Sequence, residues 1–304
     1  MEQKHGLVYL SAATYTLITG FSFLFGKIAL QSAGPIDILA HRFSAALIAL
    51  LIVRFFRGSF CKLTRAKFIR IMPLALLYPL LFFTFQTYGL QQASSSEAGI
   101  IFAAIPIFTW ILAAVFLKER TNRIQKLCIL TSVFGVVYIS WQNIGSLHFS
   151  ISRGILLLLV SALSYAAYSI FAKKLTKNFS STELSCTMII ISFVCFNLLA
   201  LGRHLYSDTL LTFWLPLARI DYLASVVYLG VLSSLVTALL TNYVLSRIEA
   251  SKMSVFGNLA TVISILAGFL FLKEQITLHH IIGSVLIVGG VLGVNFLGDD
   301  RLKH

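Results

Sequence analysis

The sequence predicts an all-α, polytopic membrane protein with ten transmembrane helices in two inverted-topology five-helix repeats. Three observations carry this: ten long apolar runs, basic residues collected in alternate gaps between them, and a pattern that recurs in the second half of the chain. Of the 304 residues, 58% are hydrophobic and 12% charged, and the mean hydropathy is +0.89. A soluble domain of this size cannot hide so much apolar surface from water. A bilayer accepts it, since roughly 20 apolar residues in a helix cross about 30 Å of hydrocarbon.

In chain order the runs fall near 7–29, 36–54, 71–91, 97–117, 125–141, 154–172, 184–201, 222–246, 253–272 and 278–297. The first exceeds a signal-peptide core and ends in no small-residue cleavage site, so it is expected to stay. The second carries Asp37, His41 and Arg42, the third Tyr78 and Gln86, and the fourth Pro106. Gly135 marks the fifth, Tyr165 and Tyr168 the sixth, and Met188 the seventh. After a longer gap at 202–221 come the eighth, the ninth with Asn258, and a glycine-rich tenth. Runs such as Gly154 to Val160 do not alternate, which excludes a membrane β-barrel.

Charge placement sets the orientation. With a cytoplasmic N-terminus and ten crossings, eighteen of the 24 Lys and Arg residues lie in the cytoplasm. Five (Lys27, Arg153, Arg203, Arg219 and Lys273) lie outside, and Arg42 lies within the second run. This positive-inside bias puts both termini in the cytoplasm of a cell-membrane protein. It also accounts for the net charge of +13 without nucleic acid, leaving the bilayer and a small-molecule substrate as the expected partners. Cys61, Cys128, Cys186 and Cys195 have no metal-ligand or disulfide spacing, and no cofactor is expected.

A shift of 155 places Tyr88–Ser140 on Tyr243–Asn295 without a gap, laying Phe116-Leu117-Lys118-Glu119 on Phe271-Leu272-Lys273-Glu274. A shift of 146 relates the first and sixth runs, bringing Lys27 onto Lys173 and Asp37 onto Glu183. The units are therefore residues 1–144 and 150–298. Five helices per unit is odd, so the two insert in opposite senses, as in many secondary transporters.

Two such halves, each with a Leu-Lys-Glu turn after its fourth helix, resemble the EamA family of the drug/metabolite transporter superfamily. Gly20 with Lys27, Arg42-Phe43 and Pro106 match as well. The resemblance implies a ten-helix carrier and covers nearly the whole chain. The second half departs from the pattern, with Thr261 in place of Pro106 and Met188 in place of Arg42.

Polar side chains inside spanning helices are costly in lipid and mark the bundle interior. Ser11, Tyr15, Thr19 and Ser22 share one face of the first run, and Ser161, Tyr165 and Tyr168 one face of the sixth. Under the 146 shift Tyr15 falls on Ser161, Thr19 on Tyr165 and Ser22 on Tyr168. The substrate-site candidates are Tyr15, Thr19, Arg42, Tyr78, Gln86, Tyr165, Tyr168 and Asn258. Arg42 lies roughly 9 Å into its helix. It either snorkels to the outer interface or anchors a carboxylate, while Asp37 and His41, spaced i, i+4, can pair. The Lys-Glu pairs are read as topological anchors. Gly283, Gly289, Gly290 and Gly293 form a small-residue face. Packing within one protomer is preferred to a homodimer seam, though both fit.

No acid lies at a helix centre, and no nucleophile–base or metal motif appears, so an enzyme is not expected. The expectation is a secondary transporter for small metabolites, by preference exporting amino acids or related zwitterionic or aromatic solutes by alternating access. The alternative is an uptake permease for a vitamin, nucleoside or amine on the same fold.

Overall fold

The computed structural model describes residues 2–57, 64–92, 101–144, 153–272 and 276–296, and every regular element among them is helical. Helix α1 spans Glu2–Leu30, α2 Pro35–Arg57 and α3 Arg65–Gln92. Then come α4 (Ile105–Phe116), α5 (Arg123–Ile144), α6 (Arg153–Leu175) and α7 (Ser181–Tyr206). A short α8 (Leu210–Trp214) leads to α9 (Ile220–Leu245), α10 (Ala250–Leu272) and α11 (Leu278–Phe296). Among the described residues seven helices (α1, α2, α3, α6, α7, α9 and α11) are long and apolar enough to cross a membrane.

Large apolar side chains point outward along most of these helices, including Leu10, Ile48, Leu163, Leu198 and Val285. Polar groups such as Ser161, Ser185, Asn242 and Asn258 are buried instead. In water that inversion would be untenable; it is the arrangement hydrocarbon selects. The chain is a multi-pass membrane protein.

The helices outrun the apolar runs where their ends are polar. At the start of α7, Ser180 Oγ accepts from Glu183 N while Glu183 Oε2 accepts from Ser180 N, at 3.2 and 3.0 Å. This capping box starts the helix three residues before the apolar run. The gap at 202–221, read as an external loop, holds the last turn of α7 and all of α8. Helix α3 is not continuous: Tyr78 has φ −144° and ψ 122°, ahead of Pro79. A proline disfavours helical geometry in the residue before it and removes a backbone donor, so the axis bends there. Wide, π-type turns occupy Leu76–Leu81 of α3 and Tyr228–Val236 of α9.

The halves interlock. Helix α1 packs on α9 and α10, whereas α6 packs on α3 and α4. Helices α2 and α7 meet, as do α5 and α11. The α5–α11 contact is made backbone to backbone. A Cβ at Gly135 would stand 2.7 Å from the Gly283 carbonyl, and one at Gly290 would stand 2.6 Å from the Cys128 carbonyl. Gly283 and Gly290 are thus used inside the protomer, consistent with small-residue helix packing.

Candidate substrate site

The bend in α3 turns Tyr78 toward α6. Its ring centroid lies 4.6 Å from Tyr168, 5.5 Å from Tyr165 and 5.3 Å from Phe83. From α1, the Tyr15 hydroxyl is hydrogen-bonded to that of Tyr165 at 3.0 Å. The Tyr168 hydroxyl donates to Asn242 Oδ1 at 3.0 Å, and Asn242 Nδ2 donates to Ser185 Oγ at 3.0 Å. Ser161 Oγ donates to the Phe82 carbonyl at 2.9 Å, tying α6 to α3 beside the cluster. Four tyrosines from three helices thereby form one aromatic wall.

Arg42 enters this wall from α2. Its side chain does not snorkel: the residue is 7% exposed, with Cζ 4.0 Å above the Phe83 ring. Nε donates to Ser234 Oγ at 2.6 Å, and Nη2 donates to the carbonyl and hydroxyl of Ser233 at 3.1 and 3.2 Å. Both serines sit in the wide turns of α9, and the Ser233 carbonyl also accepts from Thr237 Oγ1 at 2.8 Å. Gly230 brings α9 close enough, since a Cβ there would stand 2.3 Å from the Arg42 carbonyl. Among the described residues no carboxylate is ion-paired with the guanidinium. A buried cation with neutral partners alone is an unmet demand for an anion.

The two ends of the bundle differ. At one, a cavity of about 360 Å³ opens between the end of α1 and the start of α9, lined by Phe25, Ile28, Gln31, Ser32, Arg219 and Asp221. At the other, Glu119 reaches across the halves to cap α10. Its carboxylate accepts from Ala250 N at 2.9 Å, Ser251 N at 3.4 Å and Ser251 Oγ at 2.9 Å. A carboxylate at a helix N-terminus satisfies free N–H groups and complements the dipole. Lys173 Nζ donates to the Ile248 carbonyl, and Lys67 pairs with Glu183. Glu119, read from sequence as part of a topological anchor, joins the halves at this end together with Lys173. Lys273 and Glu274 lie outside the described residues.

The profile of the EamA-like transporter family matches residues 6–141 and again 152–296. The chain belongs to the EamA-like transporter family. It is 48% identical to the uncharacterized transporter YcxC of Bacillus subtilis over 296 residues, covering 97% of this chain and 95% of that one. An uncharacterized transporter of Archaeoglobus fulgidus is 28% identical over 280 residues, covering 90% and 92%. A crystal structure of another protein shares the fold with a TM-score of 0.75 at 18% identity, covering 98% of this chain and 99% of that one. Family and relatives indicate a transporter rather than an enzyme.

Of the site residues this EamA-like sequence suggested, Tyr15, Arg42, Tyr78, Tyr165 and Tyr168 converge. Thr19 lies one turn along α1 from Tyr15 and is hydrogen-bonded to its side chain, while Gln86 lies half-buried two turns beyond Tyr78. Asn258 Nδ2 donates to Ser132 Oγ of α5 at 3.1 Å, a helix–helix contact. The pairing of Asp37 with His41 gives way to His204 for Asp37 and Tyr222 for His41. Phe83, Ser234 and Asn242 were missed. Asn242 was detectable as an amide inside the eighth run; Phe83 was indistinguishable from other core aromatics.

Proposed function

We propose that this protein crosses the plasma membrane ten times, as two inverted five-helix repeats with both termini in the cytoplasm. It exports small zwitterionic or aromatic metabolites of the amino-acid class by alternating access. The exchange of partners, α1 on α9 and α10 against α6 on α3 and α4, supports the repeat relation. The basic residues in alternate gaps support the orientation. In that orientation the Glu119 and Lys173 contacts hold the cytoplasmic end shut, and the cavity beside Arg219 faces outward.

The observation that carries the substrate class is the buried Arg42 guanidinium, without an acidic partner among the described residues and beside four tyrosines. A substrate carboxylate supplies the missing anion through charge-assisted hydrogen bonds. A substrate ammonium rests on the tyrosine faces, which attract cations without a carboxylate. Aromatic or aliphatic side chains then pack against the ring wall.

The test uses purified chain in proteoliposomes loaded with labelled tyrosine or with tyramine, its decarboxylated counterpart. Saturable tyrosine efflux with little tyramine efflux is expected. Equal movement of both, or of neither, removes the carboxylate anchor from the reading. For topology, Ser207→Cys in a chain stripped of native cysteines is expected to react with an impermeant maleimide in intact cells. Reaction only after permeabilisation inverts the orientation.

A further inference from the structure

The outer end of α2 holds a buried group of ionisable side chains that substrate binding does not use. Asp37, His41 and His204 are 7%, 4% and 5% exposed. Two rings of the α8 segment cover them: Phe213 lies 4.4 Å from His41 and 5.4 Å from His204, and Trp214 lies 6.2 Å from His41.

His204 meets oxygen atoms through both ring nitrogens. Nδ1 lies 3.0 Å from the Thr209 carbonyl and 2.8 Å from Thr209 Oγ1. A carbonyl can only accept, and an imidazole lone pair facing it would be repelled, so Nδ1 carries a hydrogen shared between the two oxygens. Nε2 in turn lies 3.0 Å from Asp37 Oδ1. In neutral imidazole with its hydrogen on Nδ1, Nε2 is a bare lone pair. Against a carboxylate, that contact holds only if a second proton lies between them.

We propose that Asp37 and His204 form a proton-binding site at the outer end of the bundle, occupied in this structure. A proton from the outer aqueous phase adds to carboxylate plus neutral imidazole. The product is carboxylate with imidazolium, or equally carboxylic acid with imidazole, and in either form the new N–H or O–H bond closes the contact. The pair is then electrically neutral. Loss of the proton leaves a buried negative charge opposite a lone pair, which separates α2 from the end of α7. The contact is therefore present at lower pH and lost as pH rises. His41 is the poorer site: its Nδ1 is committed to Tyr222 at 2.8 Å and its Nε2 is buried without a partner, so an added N–H would go unsatisfied.

His41 interacts electrostatically with both members of the pair and Tyr222 with Asp37; the other ionisable residues near them in sequence on these elements are Arg42, Arg203, Asp208 and Asp221. The α8 segment adds none. Arg203 Nη1 and Asp37 Oδ2 both flank Gly34.

Trp214 is the reporter. With Trp110 and Trp141 replaced by Phe, its emission in vesicles is expected to change in one pH-dependent step. Asp37→Asn keeps a bond, its amide donating to the Nε2 lone pair, and is expected to abolish the step. His204→Gln is expected to do the same, and His41→Gln to retain it. A flat wild-type titration, a step surviving both pair variants, or a step lost only in His41→Gln overturns the site. If Asp37→Asn fails to insert, histidine ¹⁵N spectra of the unmodified chain decide, with His204 assigned by its absence in His204→Gln. A protonated Nδ1 with a titrating Nε2 supports the proposal, and an unprotonated Nδ1 at every pH overturns it. No substrate enters these measurements, so their failure leaves the carboxylate anchor standing.

Discussion

Arg42 in α2 and Met188 in α7 occupy equivalent places in the two halves under the 146 shift, yet their surroundings differ in kind. Arg42 stacks on Phe83 and donates to Ser233 and Ser234. Met188 is fully buried, with its sulfur 3.9 Å from Asn242 Nδ2, beside an amide already bonded to Tyr168 and Ser185. One half offers unspent positive charge; the other offers a closed, neutral hydrogen-bond chain. A repeat can thus preserve packing while its chemistry diverges, because helix contacts ask for shape and a ligand asks for charge.

The sharpest way to break the comparison is to make the halves alike. Arg42→Met removes the charged donors and is expected to weaken a carboxylate-bearing substrate by about 10- to 150-fold, the equivalent of roughly 1.5–3 kcal/mol. Membrane level should be unchanged, since the replacement is apolar. Flux normalised to inserted protein measures it, and undiminished tyrosine flux would mean the two positions are equivalent after all. Arg42→Lys should recover only part, because the planar fork is lost.

Asn242→Leu attacks the other half. It strands the Tyr168 and Ser185 hydroxyls, so a thermal-shift assay in detergent should register a loss of about 1–3 kcal/mol. Substrate preference between tyrosine and tyramine should not move. Tyr165→Phe removes one hydroxyl contact with Tyr15, and an affinity loss of roughly 2- to 12-fold is expected from about 0.5–1.5 kcal/mol. Met188→Leu should cost less than about 1.5 kcal/mol in the same thermal assay and leave flux intact. A large flux defect there would place Met188 in the transport path and erase the asymmetry.

Much of the fold was legible because apolarity is a local property. Each run near 7–29, 36–54 and onward reports its own preference for hydrocarbon, and the helices lie over those runs, though α3 starts six residues before its run and α7 ends five residues after its own. The ends were less legible, since the capping box at Ser180 and Glu183 is polar and lies outside an apolar window. The tyrosines of α1 and α6 were found for the same local reason, through a polar face at helical spacing.

What the sequence by itself determined is which segments are helical and apolar, where positive charge collects, and which faces are polar. Only the tertiary structure decided the partners. Arg42 meets serines 191 and 192 positions away, Asp37 meets His204 at a separation of 167, and Asn258 turns to Ser132 rather than to the tyrosines. The reason is physical: an apolar helix surface fits neighbouring helices in many rotations, so hydrophobicity carries little register. Register is set where backbones touch, as at Gly230 against Arg42 and Gly135 against Gly283, and where α3 bends ahead of Pro79 to bring Tyr78 to the cluster.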